Sequence, residues 1–175
     1  MDTTGSWLRI RRARPEEAEP LTDLIMRSKA HWGYDATLLA AWRAGHTLDA
    51  ATIARDAVYC AEDAESGVVV GVSHCFPINE EEVYLERLFV DPAWMGRGVG
   101  ARLWRHAVEQ ATAQGARRLT LGADPNARLF YEHVGAVVTA WFDASLAPGT
   151  RAPTMRYDLP PSRSAPPPSR QGQED

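Results

Sequence analysis

The segment LFVDPAWMGRGVGARLW, from Leu88 to Trp104, constrains this chain more than any other part of it. An apolar run ends at a proline-marked turn, glycines alternate at positions 96, 98 and 100, and a helical pattern begins at once. In that pattern Val99, Leu103, Ala107 and Ala111 recur on one face, and Gly115 stops it. Backbone without side chains at a helix start presents unpaired N–H groups and the positive end of the helix dipole to an anion. The segment therefore reads as a pyrophosphate cradle, the plain alternative being a glycine-rich turn with no ligand. A P-loop is excluded, because no Lys-Ser or Lys-Thr pair follows the glycines. A dinucleotide fingerprint requires GxGxxG, whereas the spacing here is GxGxG, so Asp124 at the end of the next strand keeps that reading alive only weakly.

The rest of the chain predicts strands and helices around this loop. Trp7 to Arg12 alternates apolar and basic residues as a first strand, with Trp7 or a neighbour turned inward. Leu21, Leu24, Ile25 and Ser28 keep helical spacing after Pro15, and Pro20 predicts a kink or a late start. The loop AHWGYD, from Ala30 to Asp35, precedes a second helical run, Ala36 to Ala44, with Asp35 as its N-cap. Ala57 to Ala61 and Val68 to Phe76 read as a hairpin, and Val83 to Val90 as a further strand. After the glycine-led helix come a strand from Arg118 to Gly122, a short helix opened by Asp124-Pro125, and strands near Val137 to Phe142 and Thr154 to Leu159. Hairpin strands together with crossover helices predict an α/β domain, a mixed sheet flanked by helices. Beyond Leu159 the chain reads PPSRSAPPPSRQGQED, which has too little apolar surface to offset its ordering entropy. The expected organisation is one domain over 1–159 and a disordered Pro/Ser/Arg-rich tail over 160–175.

Composition narrows the classes of partner. At 175 residues, 45% hydrophobic and 24% charged, the chain suits one soluble domain with no bilayer-spanning run and no secretory signal. A net charge of −4 gives no general attraction to nucleic acid, and the cluster Arg9, Arg11, Arg12 and Arg14 reads as a solvated strand edge. Cys60 and Cys75 match no metal-ligand spacing and are expected to be reduced and buried, in a cytoplasmic protein.

The glycine segment resembles the signature of the GNAT superfamily of N-acetyltransferases, [QR]xxGx[GA] after a strand ending in L-x-V-x-P. Leu88, Val90 and Pro92 supply that ending, and Met95, Gly96, Arg97, Gly98, Val99 and Gly100 the signature, with Met95 in place of Gln or Arg. A second stretch, ADPNARLFYEHVGA from Ala123 to Ala136, is similar to the family's N-x-x-x-F-Y-x-x-x-G helix. The resemblance implies a mostly antiparallel sheet of about six or seven strands. It implies acetyl-CoA as cosubstrate, with no metal, and a small-molecule or peptide primary amine as acceptor. The expected cofactor-binding set is Leu88, Phe89, Val90, Met95, Gly96, Arg97, Gly98, Val99, Gly100, Ala101, Asn126, Phe130 and Tyr131. No nucleic acid or membrane partner is implied, and a homodimer is left open.

Acetyl transfer needs a neutral amine and a stabilised thiolate. An alkylammonium of pKa ~10.4 is only about one part in a thousand neutral near pH 7.4, so a base or water relay must take its proton. Glu86 is the first choice as base, on the strand leading to the cradle, and alternation would place it on one face with Leu88 and Val90; Glu82 and His74 are reserves. Tyr131, matching the family's tyrosine, is the expected acid. A phenol near ~10 is a poor proton donor to a thiolate near ~8.5, so its surer contribution is a hydrogen bond. Phe130 is expected to pack helix to sheet, Asp124 to cap, Asn126 to reach the pantetheine, and His133 to have no role. His31, Trp32 and Tyr34 are the expected acceptor-site residues, with a core plug as their structural alternative. The run Glu80-Glu81-Glu82 would favour a cationic amine if it faced the same pocket. The rival readings are a non-catalytic acyl-CoA-binding sensor module and, more distantly, a dinucleotide-binding oxidoreductase.

Overall fold

The computed structural model describes residues 7–144 and 149–161. The expected tail, from residue 162 on, lies outside the described residues. Strands β1 (Leu8–Arg12), β2 (Ala57–Asp63), β3 (Val69–Pro77), β4 (Glu82–Val90), β5 (Arg118–Gly122), β6 (Val137–Asp143) and β7 (Arg151–Asp158) form one sheet in the order β1-β2-β3-β4-β5-β7-β6. All its pairs are antiparallel except β4 with β5, which is parallel.

Helices α1 (Ala18–Ala30), α2 (Ala36–His46) and α3 (Ala50–Arg55) accompany one side of the sheet, and α4 (Val99–Ala113) and α5 (Arg128–His133) the other. Leu21, Leu24, Ile25, Leu48 and Ile53 pack with Val58, Cys60 and Val72 in the first core. Trp104, Ala107 and Ala111 pack with Leu85, Leu119, Leu121 and Met155 in the second. The helical repeat read from Val99 to Ala111 is thus the buried stripe of α4.

Several local predictions meet a physical test here. Pro20 falls in the first turn of α1, where its missing N–H would have no partner in any case, so it costs the helix no bond. The inward residue of β1 is Leu8, 1% exposed, while Trp7 is 41% exposed and stacks on Trp94. The strand expected at Thr154 begins earlier, at Arg151, across Pro153. The Pro153 carbonyl accepts from Ala123 N–H, so its nitrogen points the same way, beyond the end of β5, and costs the ladder no bond. Helix α3 was not predicted; its six residues are too few for periodicity, and its signal is the cap, Asp49 accepting from Thr52 N–H at 2.7 Å.

The basic cluster on β1 is matched by acids. Arg9 and Arg11 bind Glu62, and Arg11 and Arg14 bind Glu17. Cys60 and Cys75 are free and buried, and burial pushes both thiols up to about 12.

Candidate active site

Strands β4 and β5 pair over only three positions, Glu82 to Tyr84 with Arg118 to Thr120, and then part. Beyond Tyr84 the edge of β4 toward β5 has no strand partner among the described residues. Tyr84 props the opening, its hydroxyl accepting from Gly122 N–H at 3.1 Å. The second device is a β-bulge. His74 pairs with Arg87 and Cys75 with Leu85, which leaves Glu86 as the extra residue of β4.

The bulge corrects the expectation drawn from alternation. Leu88 and Val90 pack toward α4, as Leu85 does, whereas Glu86 sits with Tyr84 and Phe89 at the rim of a second cavity. A register shift is a property of two paired strands, so the sequence of β4 alone carries no sign of it.

Two cavities result. The larger, about 560 Å³, runs from the glycine loop into the opening between β4 and β5. The smaller, about 360 Å³, lies against α2 and is walled by aromatic side chains. Lys29, Glu86, Phe89, Gly122 and Asp124 line both, so the two meet at the bulge.

At the loop, Gly96 and Gly98 have φ of 75° and 84°, a left-handed conformation that favours glycine. The first bond of α4 is Arg102 N–H to the Gly98 carbonyl, so the amides of Val99, Gly100 and Ala101 have no partner within the helix. A Cβ on Gly100 would stand 3.4 Å from Phe130, which holds α5 against the loop. These donors at the positive end of a four-turn helix suit a pyrophosphate.

Most of the expected cofactor residues come together. Leu88, Phe89, Val90, Met95, Gly96, Gly98, Val99, Gly100, Ala101, Asn126, Phe130 and Tyr131 all line the larger cavity. Arg97 does not; it is exposed, with its guanidinium 4.9 Å over the Trp94 ring. Asn126 is already engaged, its amide donating to Asp124 at 2.9 Å and to the Tyr34 hydroxyl at 3.2 Å. His133, expected to have no role, also lines the larger cavity.

Tyr131 is 6% exposed, edge-on to both Trp104 and Phe130, and its hydroxyl makes no hydrogen bond to the described residues. Burial raises its pKa above the ordinary phenol value, so it remains a proton-bearing donor aimed into a cavity. Glu86 likewise accepts no hydrogen bond from the described residues; its side chain is 31% exposed and 4.0 Å from Arg87.

The reserve bases are otherwise occupied. Arg87, which can only donate, reaches His74 Nδ1 at 2.7 Å, so that nitrogen is the acceptor and Nε2–H donates to Asp56 at 2.9 Å. No lone pair of His74 is left for an amine proton. Glu82 accepts from Thr120 at 2.8 Å, and none of Glu80, Glu81 and Glu82 lines either cavity. Burial is the main cause lowering the pKa of His74, and of His106 as well. The unfolded chain then takes up protons near about 6.5 that the folded protein refuses, so stability is full above that pH and falls below it. We expect chemical unfolding at pH 5.5 to show a lower free energy than at pH 7.5, by at most about 1.4 kcal/mol per pH unit per histidine. Equal values at the two pH values would contradict this.

The aromatic loop divides. Tyr34 enters the smaller cavity and donates to Asp124 at 2.9 Å, burial and that carboxylate pushing its pKa up to about 12. Trp32 borders the larger cavity at 42% exposure, and His31, exposed and edge-on to Trp32, lines neither. None of the three is a core plug. Asp124 caps the turn after β5, accepting from Asn126 N–H, and it also binds Lys29. Burial opposes its charge, but Lys29, the Asn126 amide and Tyr34 together hold its pKa below the usual carboxylate value. Sequence reasoning missed Lys29, Trp42, Tyr84 and Phe142, which come from four separate elements and match no local motif.

Residues 18–136 match the model of a family described as the acetyltransferase (GNAT) family. No curated protein matches the sequence. Among solved structures, the PaiA N-acetyltransferase of Thermoplasma acidophilum in complex with coenzyme A is 17% identical, with a TM-score of 0.74 over 87% of this chain and 99% of that one. A GCN5-related N-acetyltransferase of Rhodopseudomonas palustris is 25% identical, with a TM-score of 0.72 over 88% and 97%. YncA of Salmonella typhimurium, with acetyl-CoA, is 21% identical, with a TM-score of 0.63 over 92% and 98%. These likenesses agree with a seven-stranded, mostly antiparallel sheet flanked by helices. Among the described residues no helix is long and apolar enough to cross a membrane, and no group of three or more His, Cys, Asp or Glu could hold a metal.

Proposed function

This chain belongs to the acetyltransferase (GNAT) family and is an acyltransferase, and on that premise we propose that it moves acetyl from acetyl-CoA to a primary amine by direct attack. The observation that carries the reading is the junction of the two cavities at Glu86. The larger cavity suits the cosubstrate and the smaller the acceptor, so the two reactants would meet at the bulge of β4. We further propose that residues 1–159 are the catalytic domain and that the protein works in the cytoplasm.

In this reading the amides of Val99, Gly100 and Ala101 hold the pyrophosphate, and the unpaired edge of β4 with Phe130 and Tyr131 flanks the pantetheine arm. Acetyl-CoA supplies an activated thioester. Glu86 takes one proton of the incoming ammonium and later returns it to solvent; the amine nitrogen forms its bond to the carbonyl carbon as the carbon–sulfur bond breaks, and the second nitrogen proton passes through solvent to the thiolate, giving the amide and free CoA thiol. Tyr131 donates a hydrogen bond to the departing thiolate. Its raised pKa favours donation over full proton release.

The test is release of free thiol from acetyl-CoA across monoamines, polyamines, amino acids and peptide N-termini. Amine-dependent release supports the reading, and tight CoA binding with no turnover on any amine would favour a binding module. A narrower prediction concerns the cradle. Gly98→Ala forces a Cβ onto a residue at φ 84°, a strain of about 1–2 kcal/mol that tilts the first amides of α4. The variant is expected to stay folded, since the Cβ meets nothing within 4 Å, yet to bind CoA about tenfold more weakly by calorimetry. An unchanged Kd would remove the cradle assignment.

A further inference from the structure

We infer that the acceptor is a small arylalkylamine, a primary amine on a short chain that ends in an aromatic ring. This rests on the acetyl-transfer reading above and on the assignment of the smaller cavity to the acceptor. At about 360 Å³ that cavity lies near the small end of the roughly 300–1,000 Å³ range of ligand pockets.

Its fixed charges favour a single ammonium. Two carboxylates line it, Glu86 and Asp124, with one ammonium, Lys29, and the imidazole of His46, which stacks on Trp42 at 4.4 Å with its Nδ1 2.9 Å from the Trp42 carbonyl. Lys29 is bound to Asp124, with side chains only 16% and 12% exposed, and its Nζ lies 4.9 Å from the Tyr34 ring and 5.3 Å from the Trp42 ring. That cation is committed, so the carboxylate of an amino acid would enter beside Glu86 with no free ammonium to pair with. Glu86 is the carboxylate left for a ligand. A polyamine would bring further ammonium groups out of water with no anion to receive them.

The walls specify the body. Trp42 and Phe89 meet edge to face at 6.0 Å on one side. From another element, Phe142 of β6 reaches over Gly122, where a Cβ would stand 3.3 Å from its ring and 3.2 Å from the Tyr84 hydroxyl. Phe142 lines the cavity although 44% exposed, so a ring seated between these walls would cover it. Aromatic side chains contributed by α2, β4 and β6 favour a planar ring over an aliphatic chain of equal length.

The experiment measures binding and turnover separately. CoA-saturated protein is titrated calorimetrically with phenethylamine, butylamine, spermidine and phenylalanine, and thiol release from acetyl-CoA is followed with the same four. Phenethylamine is expected to bind about tenfold more tightly than butylamine, and more tightly than spermidine or phenylalanine. Phe142→Ala should lower the phenethylamine-to-butylamine ratio of kcat/KM through KM, while Phe142→Leu, still apolar, restores bulk without the ring and should not restore the ratio. Tighter binding or faster turnover of spermidine or phenylalanine overturns the inference and leaves acetyl transfer standing. Tight phenethylamine binding with no thiol release overturns acetyl transfer and leaves the cavity's preference standing.

Discussion

Tyr131→Phe is expected to yield a folded enzyme with unchanged affinity for acetyl-CoA and a kcat lowered by about ten- to a thousandfold. The fold should survive because the ring's packing against Trp104 and Phe130 is kept and the hydroxyl makes no hydrogen bond to the described residues. In the proposed reaction, what is lost is a donor used as charge develops on sulfur, in an apolar surround where water cannot replace it. The pKa of Tyr131 is raised by burial, so the hydroxyl stays protonated across the working range and the deficit should be the same at every pH tested. An equally active phenylalanine variant would return Tyr131 to the core.

How much of this could be read from sequence depends on whether a feature is local. The glycine loop is local, since cap, turn and helix follow each other within a few residues, and so is the Asn126 to Tyr131 stretch. Helix α4 declared its buried stripe because its apolar positions repeat for four turns. The bulge at Glu86 did not, since it exists only as a mismatch between β3 and β4. The Lys29–Asp124 pair joins residues far apart in sequence, and neither position predicts the other. Asp124 was legible as a cap and illegible as the group that gathers Lys29, Tyr34 and Asn126. The smaller cavity, proposed for the acceptor, was the least legible part, because its walls come from α2, β4 and β6 and meet only when the sheet is complete.

Glu86→Gln should behave unlike the tyrosine variant, because its missing function is one that solvent can supply at high pH. If the carboxylate accepts the ammonium proton, the variant depends on amine already neutral in solution, a fraction that rises tenfold per pH unit below ~10.4. The loss in kcat/KM is therefore expected to be largest near pH 6.5, on the order of a hundredfold, and to shrink steadily toward pH 9. Affinity for acetyl-CoA should hold, since Glu86 stands at the rim where the cavities meet and the proposed pyrophosphate cradle lies at the start of α4. Glutamine keeps the size of the side chain and its place in the bulge, and no hydrogen bond to the described residues is given up, so a folding defect would not mimic the effect. Both pH profiles are to be measured on one good acceptor, with single-turnover rates to ensure that chemistry limits. A loss independent of pH would remove Glu86 as the base and leave the proton to a water chain from the open side of the bulge.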